Sequence, residues 1–177
     1  MKIGLVQINN SFSGQSYFPY SLGLLQAHAE ENLSDPSKFE FMLPIFSRIK
    51  VEDGVNQLLE ADIILFSLYV WNVRLSMEIA RQVKERNPNT VIVCGGPQVP
   101  DQGDSFLRDH PFVDLACHGP GEKVICEVLE NASEKNWESI SGVSYLDSNH
   151  NFIQSQKSKR TKSDLQNWVS PYLSGVF

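Results

Sequence analysis

Ile63-Ile64-Leu65-Phe66-Ser67-Leu68-Tyr69-Val70-Trp71-Asn72 is the stretch on which the fold turns. Its first four residues are apolar without alternation, the pattern of a strand covered on both faces rather than one facing water. A helical pattern follows over residues 72–85, with Val73, Met77, Ala80 and Val83 at spacings of three and four, and Asn87-Pro88-Asn89 stops it. A buried strand handing over to an amphipathic helix is the repeating part of a parallel sheet.

The same alternation extends outward in both directions. Towards the N-terminus it predicts a strand over residues 2–7, a helix over 20–31, a strand over 39–43 ended by Pro44, and a helix over 51–60. Towards the C-terminus it predicts a strand over 91–94, a short helix over 105–110, a strand over 115–117 and a helix over 121–134. Five such units imply an α/β fold: a doubly wound, flavodoxin-like (Rossmann-like) five-stranded parallel sheet of strand order 2-1-3-4-5. Residues 1–138 form that domain. The remainder, 139–177, reads as a β-hairpin (140–146 and 151–155 around Asp147-Ser148-Asn149-His150), a basic stretch over 157–162 and a linker containing Trp168, Pro171 and Gly175.

Composition narrows the function. The 177 residues are 41% apolar, enough to bury a core, and carry a formal net charge of −6, which argues against a nucleic-acid module. Three cysteines (Cys94, Cys117, Cys126) without C-x-x-C spacing suit a reduced, cytoplasmic chain. No apolar run approaches the ~18 residues of a membrane span, and the start is too short and too soon polar to be a secretory signal.

In doubly wound sheets ligands bind beyond the carboxyl ends of the strands, so the loops after the strands carry the functional reading. After the third strand, Ser67 can donate a hydrogen bond, Tyr69 and Trp71 offer flat apolar faces, and Asn72 suits the N-cap of the next helix. After the fourth stands Cys94-Gly95-Gly96-Pro97, where glycines allow close approach to the backbone or a positive φ. After the fifth, Gly119-Pro120-Gly121-Glu122 opens a helix whose free amides can hold a polar group. Val124 breaks a G-x-G-x-x-G pattern, and no P-loop exists. The loop after the first strand, Ile8-Asn9-Asn10-Ser11, lacks the carboxylates of a magnesium-binding receiver. His118 beside Cys117 has no further ligands at a workable spacing, so a metal role is disfavoured.

Taken together, Phe66-Ser67-Leu68-Tyr69-Val70-Trp71-Asn72, Cys94-Gly95-Gly96-Pro97 and Gly119-Pro120-Gly121-Glu122 resemble the amino-terminal cobalamin-binding domain of cobalamin-dependent radical S-adenosylmethionine (radical SAM) enzymes. Pro19-Tyr20-Ser21-Leu22-Gly23-Leu24-Leu25 and the exit segment from Asn167 to Gly175 add to the likeness, which then covers nearly the whole chain. The resemblance implies a corrin over the carboxyl edge of the sheet with its nucleotide tail in a slot between strands. Ser67, Gly95, Gly96 and the turn of Gly119, Gly121 and Glu122 would line the slot. Leu68, Tyr69, Val70, Trp71, Asn72 and Pro97 complete the implied cofactor-binding set, with the loop from Tyr69 to Asn72 beneath the corrin.

Two absences refine that expectation. Cobalamin domains of the methionine-synthase and mutase type carry Asp-x-His-x-x-Gly after the first strand, and its His ligates cobalt. The loop from Ile8 to Pro19 has no His, and the partial match His118-x-x-Gly121 lies after the wrong strand, with Ala116 in place of Asp. The expectation is therefore base-off cobalamin without a histidine ligand, in a methyltransferase-like enzyme. The cysteines also cannot form Cys-x-x-x-Cys-x-x-Cys. S-adenosylmethionine and a [4Fe-4S] cluster would thus belong to a radical SAM domain of the same polypeptide that follows this segment, and this chain would not be catalytic alone. Two other readings stay open: a structural or interaction module that has lost the cofactor, and a flavodoxin-like mononucleotide binder using Asn9-Asn10-Ser11-Phe12-Ser13-Gly14.

Overall fold

The structure, a computed structural model, describes residues 1–156 and 169–177. The basic stretch over 157–162, Asn167 and Trp168 lie outside the described residues.

Apolar runs become the expected strands. β1 (Lys2–Val6) is followed by a small hairpin, β2 (Ser11–Phe12) with β3 (Gln15–Ser16), then α1 (Tyr20–Asn32), β4 (Glu40–Phe41) and α2 (Val51–Leu58). Next come β5 (Ile63–Ser67), α3 (Val73–Arg86), β6 (Val91–Gly95), α4 (Asp104–Asp109), β7 (Leu115–Cys117) and α5 (Gly121–Asn131). β8 (Val143–Leu146) and β9 (Phe152–Gln154) are the last strands among the described residues. The sheet order is β4-β1-β5-β6-β7-β8-β9. Its first five members are parallel, the expected 2-1-3-4-5 order. The C-terminal hairpin adds to the same sheet as antiparallel sixth and seventh strands.

Alternation along each strand sends side chains to two separate cores. Ile3, Leu5, Ile63, Leu65, Val91, Val93 and Leu115 pack under α1 and α5, while Val6, Ile64, Phe66, Ile92, Cys94 and Ala116 pack against α2, α3 and α4. Among the described residues, no helix is long and apolar enough to cross a membrane.

Three local features depart from the sequence reading. β4 keeps only two residues because Pro44 has no amide to donate; pairing with β1 resumes at the isolated bridge Val6↔Ile45. The polar loop after β1 contains the β2–β3 hairpin, whose turn places Ser13 at φ 50° and Gly14 at φ 76°. Asn72 stands at the N-cap position of α3, but its side chain does not cap the helix. Its Oδ1 accepts the Tyr69 amide at 2.8 Å, and its Nδ2 donates to the carbonyls of Ile8 and Ser67, both at 3.0 Å.

The described end of the tail, residues 169–177, returns to α1. The Phe177 ring lies over Gly23, where an added Cβ would sit 2.3 Å from it, and Phe177 packs beside Phe18 and Tyr172.

Candidate functional site

The site begins with a row of small residues across three strands. Ser67 on β5 pairs in register with Gly95 on β6. The Cys94↔Ala116 pair sets Cys117 of β7 beside Gly95, and a Cβ on Gly95 would lie 3.7 Å from the Cys117 Cβ. All three residues face α1 and α5. One step deeper on the same face stand Leu65, Val93 and Leu115, which are large and buried. Helices above such a row can rest on the large residues but not on the small ones, so a gap opens at the carboxyl edge.

That gap is a cavity of about 290 Å³. Its depth is apolar, formed by Leu65, Val93, Val124, Ile125 and Val128, while Ser21, Ser67, Tyr69 and Glu122 stand among its lining. Among the described residues, the Ser67 hydroxyl makes no hydrogen bond, although the residue is only 8% exposed. Burial pushes the Cys117 thiol up to about 12, so that wall of the cavity stays uncharged at neutral pH.

Tyr69 is fixed from both sides. Its hydroxyl lies 3.3 Å from Ser21 Oγ, which itself donates to Gln7 Oε1 at 2.6 Å. The Ser21 proton is thus committed to Gln7, and Tyr69 donates to Ser21. Gln7 Oε1 also accepts the Leu22 amide at 3.4 Å, serving α1, whose N-cap residue is Pro19. The Tyr69 ring stacks on Trp71 with centroids 4.7 Å apart and planes 12° from parallel. Beyond the stack lies a second hollow of about 420 Å³, bordered by Gln7, Asn9, Asn10, Tyr17, Tyr69 and Trp71.

Of the residues singled out in the sequence, Ser67, Tyr69, Gly95, Gly96, Gly119, Gly121 and Glu122 come together around the first cavity. Leu68, Val70, Trp71, Asn72 and Pro97 do not line it. Leu68 is wholly buried in the opposite core, Asn72 is buried beneath the loop it ties, and Pro97 is exposed in the turn after β6. Val70 and Trp71 are 72% and 42% exposed on the rim. Sequence reasoning missed Gln7, Ser21 and the apolar walls from α1 and α5. The only signal for Ser21 was its place in the distinctive opening of the first helix, and none pointed to Gln7.

Asn72 holds three backbone groups of two loops at this edge. Asn72→Ala strands the two carbonyls and the amide, and is expected to destabilise the domain by about 2 kcal/mol. Chemical denaturation followed by circular dichroism checks this, and an unchanged midpoint would remove Asn72 from the framework.

His118 is buried, with Nε2 2.8 Å from Ser144 Oγ. Among the described residues, no group of three His, Cys, Asp or Glu side chains is placed to hold a metal ion.

Residues 42–129 match the family model of the B12 binding domain. Over 162 residues, 90% of its length, the chain is 35% identical to the cobalamin-dependent radical SAM methyltransferase TokK of Streptomyces tokunonensis. Over the same length it is 33% identical to the 2-(S-pantetheinyl)-carbapenam-3-carboxylate methyltransferase of Streptantibioticus cattleyicolor. The chain spans 24% of the length of either relative. Among solved structures, the cobalamin-dependent S-adenosylmethionine radical enzyme OxsB, with aqua-cobalamin and S-adenosylmethionine bound, superposes with a TM-score of 0.71 at 16% identity. That match covers 90% of this chain and 22% of OxsB. The radical S-adenosylmethionine methyltransferase TsrM from Kitasatospora setae gives 0.66 at 17% identity, covering 89% of this chain and 30% of TsrM. The fold, the family match and the two sequence relatives agree, and the chain belongs to the B12-binding domain family, as a homologue of the corresponding part of cobalamin-dependent radical SAM methyltransferases.

Proposed function

We propose that this chain is the cofactor-holding part of a cobalamin-dependent radical SAM methyltransferase, with the corrin over the carboxyl edge of the sheet and its nucleotide tail in the slot between the sheet and α1 and α5. The observation that carries this reading is the small-residue row of Ser67, Gly95 and Cys117, which leaves an open, apolar-walled cavity on the edge where doubly wound folds bind ligands. The lining fits the tail of the cofactor: apolar walls suit a flat aromatic base, and the Ser67 hydroxyl is free to donate to it. Gly95, Gly96 and the turn from Gly119 to Glu122 line the entry. Among the described residues no bulky side chain fills the slot, which speaks against a domain that has abandoned its ligand.

When bound, the cobalt supplies a carrier for a methyl group. The residues of this chain bind and orient. The stack of Tyr69 and Trp71, with Val70, Asn72 and the loop after β1, lies under the corrin in this reading. With its base in the slot the cofactor would be base-off, and that loop, which has no histidine, would offer the cobalt no imidazole. S-adenosylmethionine and the [4Fe-4S] cluster are assigned to a radical SAM domain of the same polypeptide; Cys94, buried in the far core, serves neither.

Incubation with hydroxocobalamin followed by desalting tests the reading. The expected result is stoichiometric retention of corrin colour. On reduction to cobalt(II), the electron paramagnetic resonance spectrum should lack nitrogen superhyperfine splitting. A colourless eluate would overturn cofactor binding by this chain; retained colour with nitrogen splitting would overturn the base-off assignment alone.

A further inference from the structure

We infer that the slot discriminates among corrinoids by the base of the nucleotide tail, accepting dimethylbenzimidazole and rejecting adenine. The inference rests on the cofactor reading above and adds to it which form of the cofactor the chain takes.

The argument is one of hydrogen-bonding capacity against depth. The far half of the cavity is built from Leu65, Val93, Val124, Ile125 and Val128, all at most 4% exposed and none with a polar side-chain atom. The backbone there is already used: β5 and β6 pair with each other along their length, and α5 bonds within itself. Ser21 is engaged by Gln7 and Tyr69. Glu122, in the turn that opens α5, already has a partner, and Ser67 is left as one hydroxyl free to donate. A dimethylbenzimidazole in base-off form presents one free ring nitrogen, which that hydroxyl can satisfy, and its two methyl groups suit aliphatic walls. Adenine brings two more ring nitrogens and an amino group. Inside this slot they would exchange water for methyl groups, and buried polar groups without partners are what a binding site rejects most strongly. Cys117 offers no rescue, because its thiol is a weak donor that burial keeps protonated.

The test compares cobalamin with the corrinoid carrying adenine in place of dimethylbenzimidazole, by equilibrium dialysis with the unaltered chain. At least a tenfold preference for cobalamin is expected, and Val93→Thr, which puts a hydroxyl one step below Gly95, should narrow it. Equal affinities would overturn the discrimination and leave the cofactor reading standing. If neither corrinoid binds, the cofactor reading falls, and the slot is then judged with the free bases by amide chemical shifts. Dimethylbenzimidazole perturbing Val93, Gly95 and Val124 where adenine does not would uphold the selectivity; silence from both, or equal response, would end it.

Discussion

Gly95→Val is expected to leave the fold standing and to abolish useful corrin binding. Gly95 ends β6, and its φ is not positive, so a β-branched residue suits the backbone there. Its added Cβ would meet only the Cys117 Cβ, at an ordinary 3.7 Å. The methyl groups beyond it enter the slot between Ser67 and Cys117. A base forced into that space meets overpacking of about 2–3 kcal/mol, or roughly a 30- to 150-fold rise in Kd. Hydroxocobalamin titration gives the affinity and a thermal melt gives the fold. Undiminished affinity in a folded Gly95→Val protein would show that the tail does not pass Gly95.

Gly96→Ala, one residue on, should do the reverse and injure the fold first. Gly96 has φ +98°, and a Cβ there would lie 2.7 Å from the carbonyl oxygen and 2.9 Å from the amide nitrogen of Leu68. Leu68 cannot yield. Its side chain is wholly buried, its amide donates to Gly95 O at 2.7 Å, and its carbonyl accepts the Gln98 amide at 3.2 Å. Backbone strain and the clash together are expected to cost about 3 kcal/mol, a fall in Tm of roughly 6–12 °C for a domain of this size. Gly95→Ala is the control and should melt near the parent. If the two alanine variants melted alike, the tight crossing of the β5 and β6 loops would not be the constraint described.

These neighbouring glycines do different work, and that contrast shows why the dipeptide could be noticed in the sequence but not understood there. Gly-Gly after a strand signals close approach or a positive φ without saying which residue does which. Gly96 serves the chain's own crossing, and Gly95 leaves the cavity beside it open. Asn72 offers a parallel lesson. Its position before an amphipathic helix predicts capping, yet the Tyr69 amide three residues back takes its Oδ1 and the distant Ile8 carbonyl takes its Nδ2. The missed Gln7 is further still from local rules, because it reaches from the end of β1 to the first turn of α1.

By itself the sequence determined the strands and helices, their order and the edge at which a ligand is expected, because hydrophobic periodicity and strand-end glycines are local properties of a few consecutive residues. It also carried the family likeness in three short loops. Only the tertiary structure decided that Ser67, Gly95 and Cys117 share one row, that α1 and α5 roof it, and that its depth is apolar throughout. Those facts depend on strand register and helix packing between segments far apart in the chain, where each side chain's role is set by its neighbours in space.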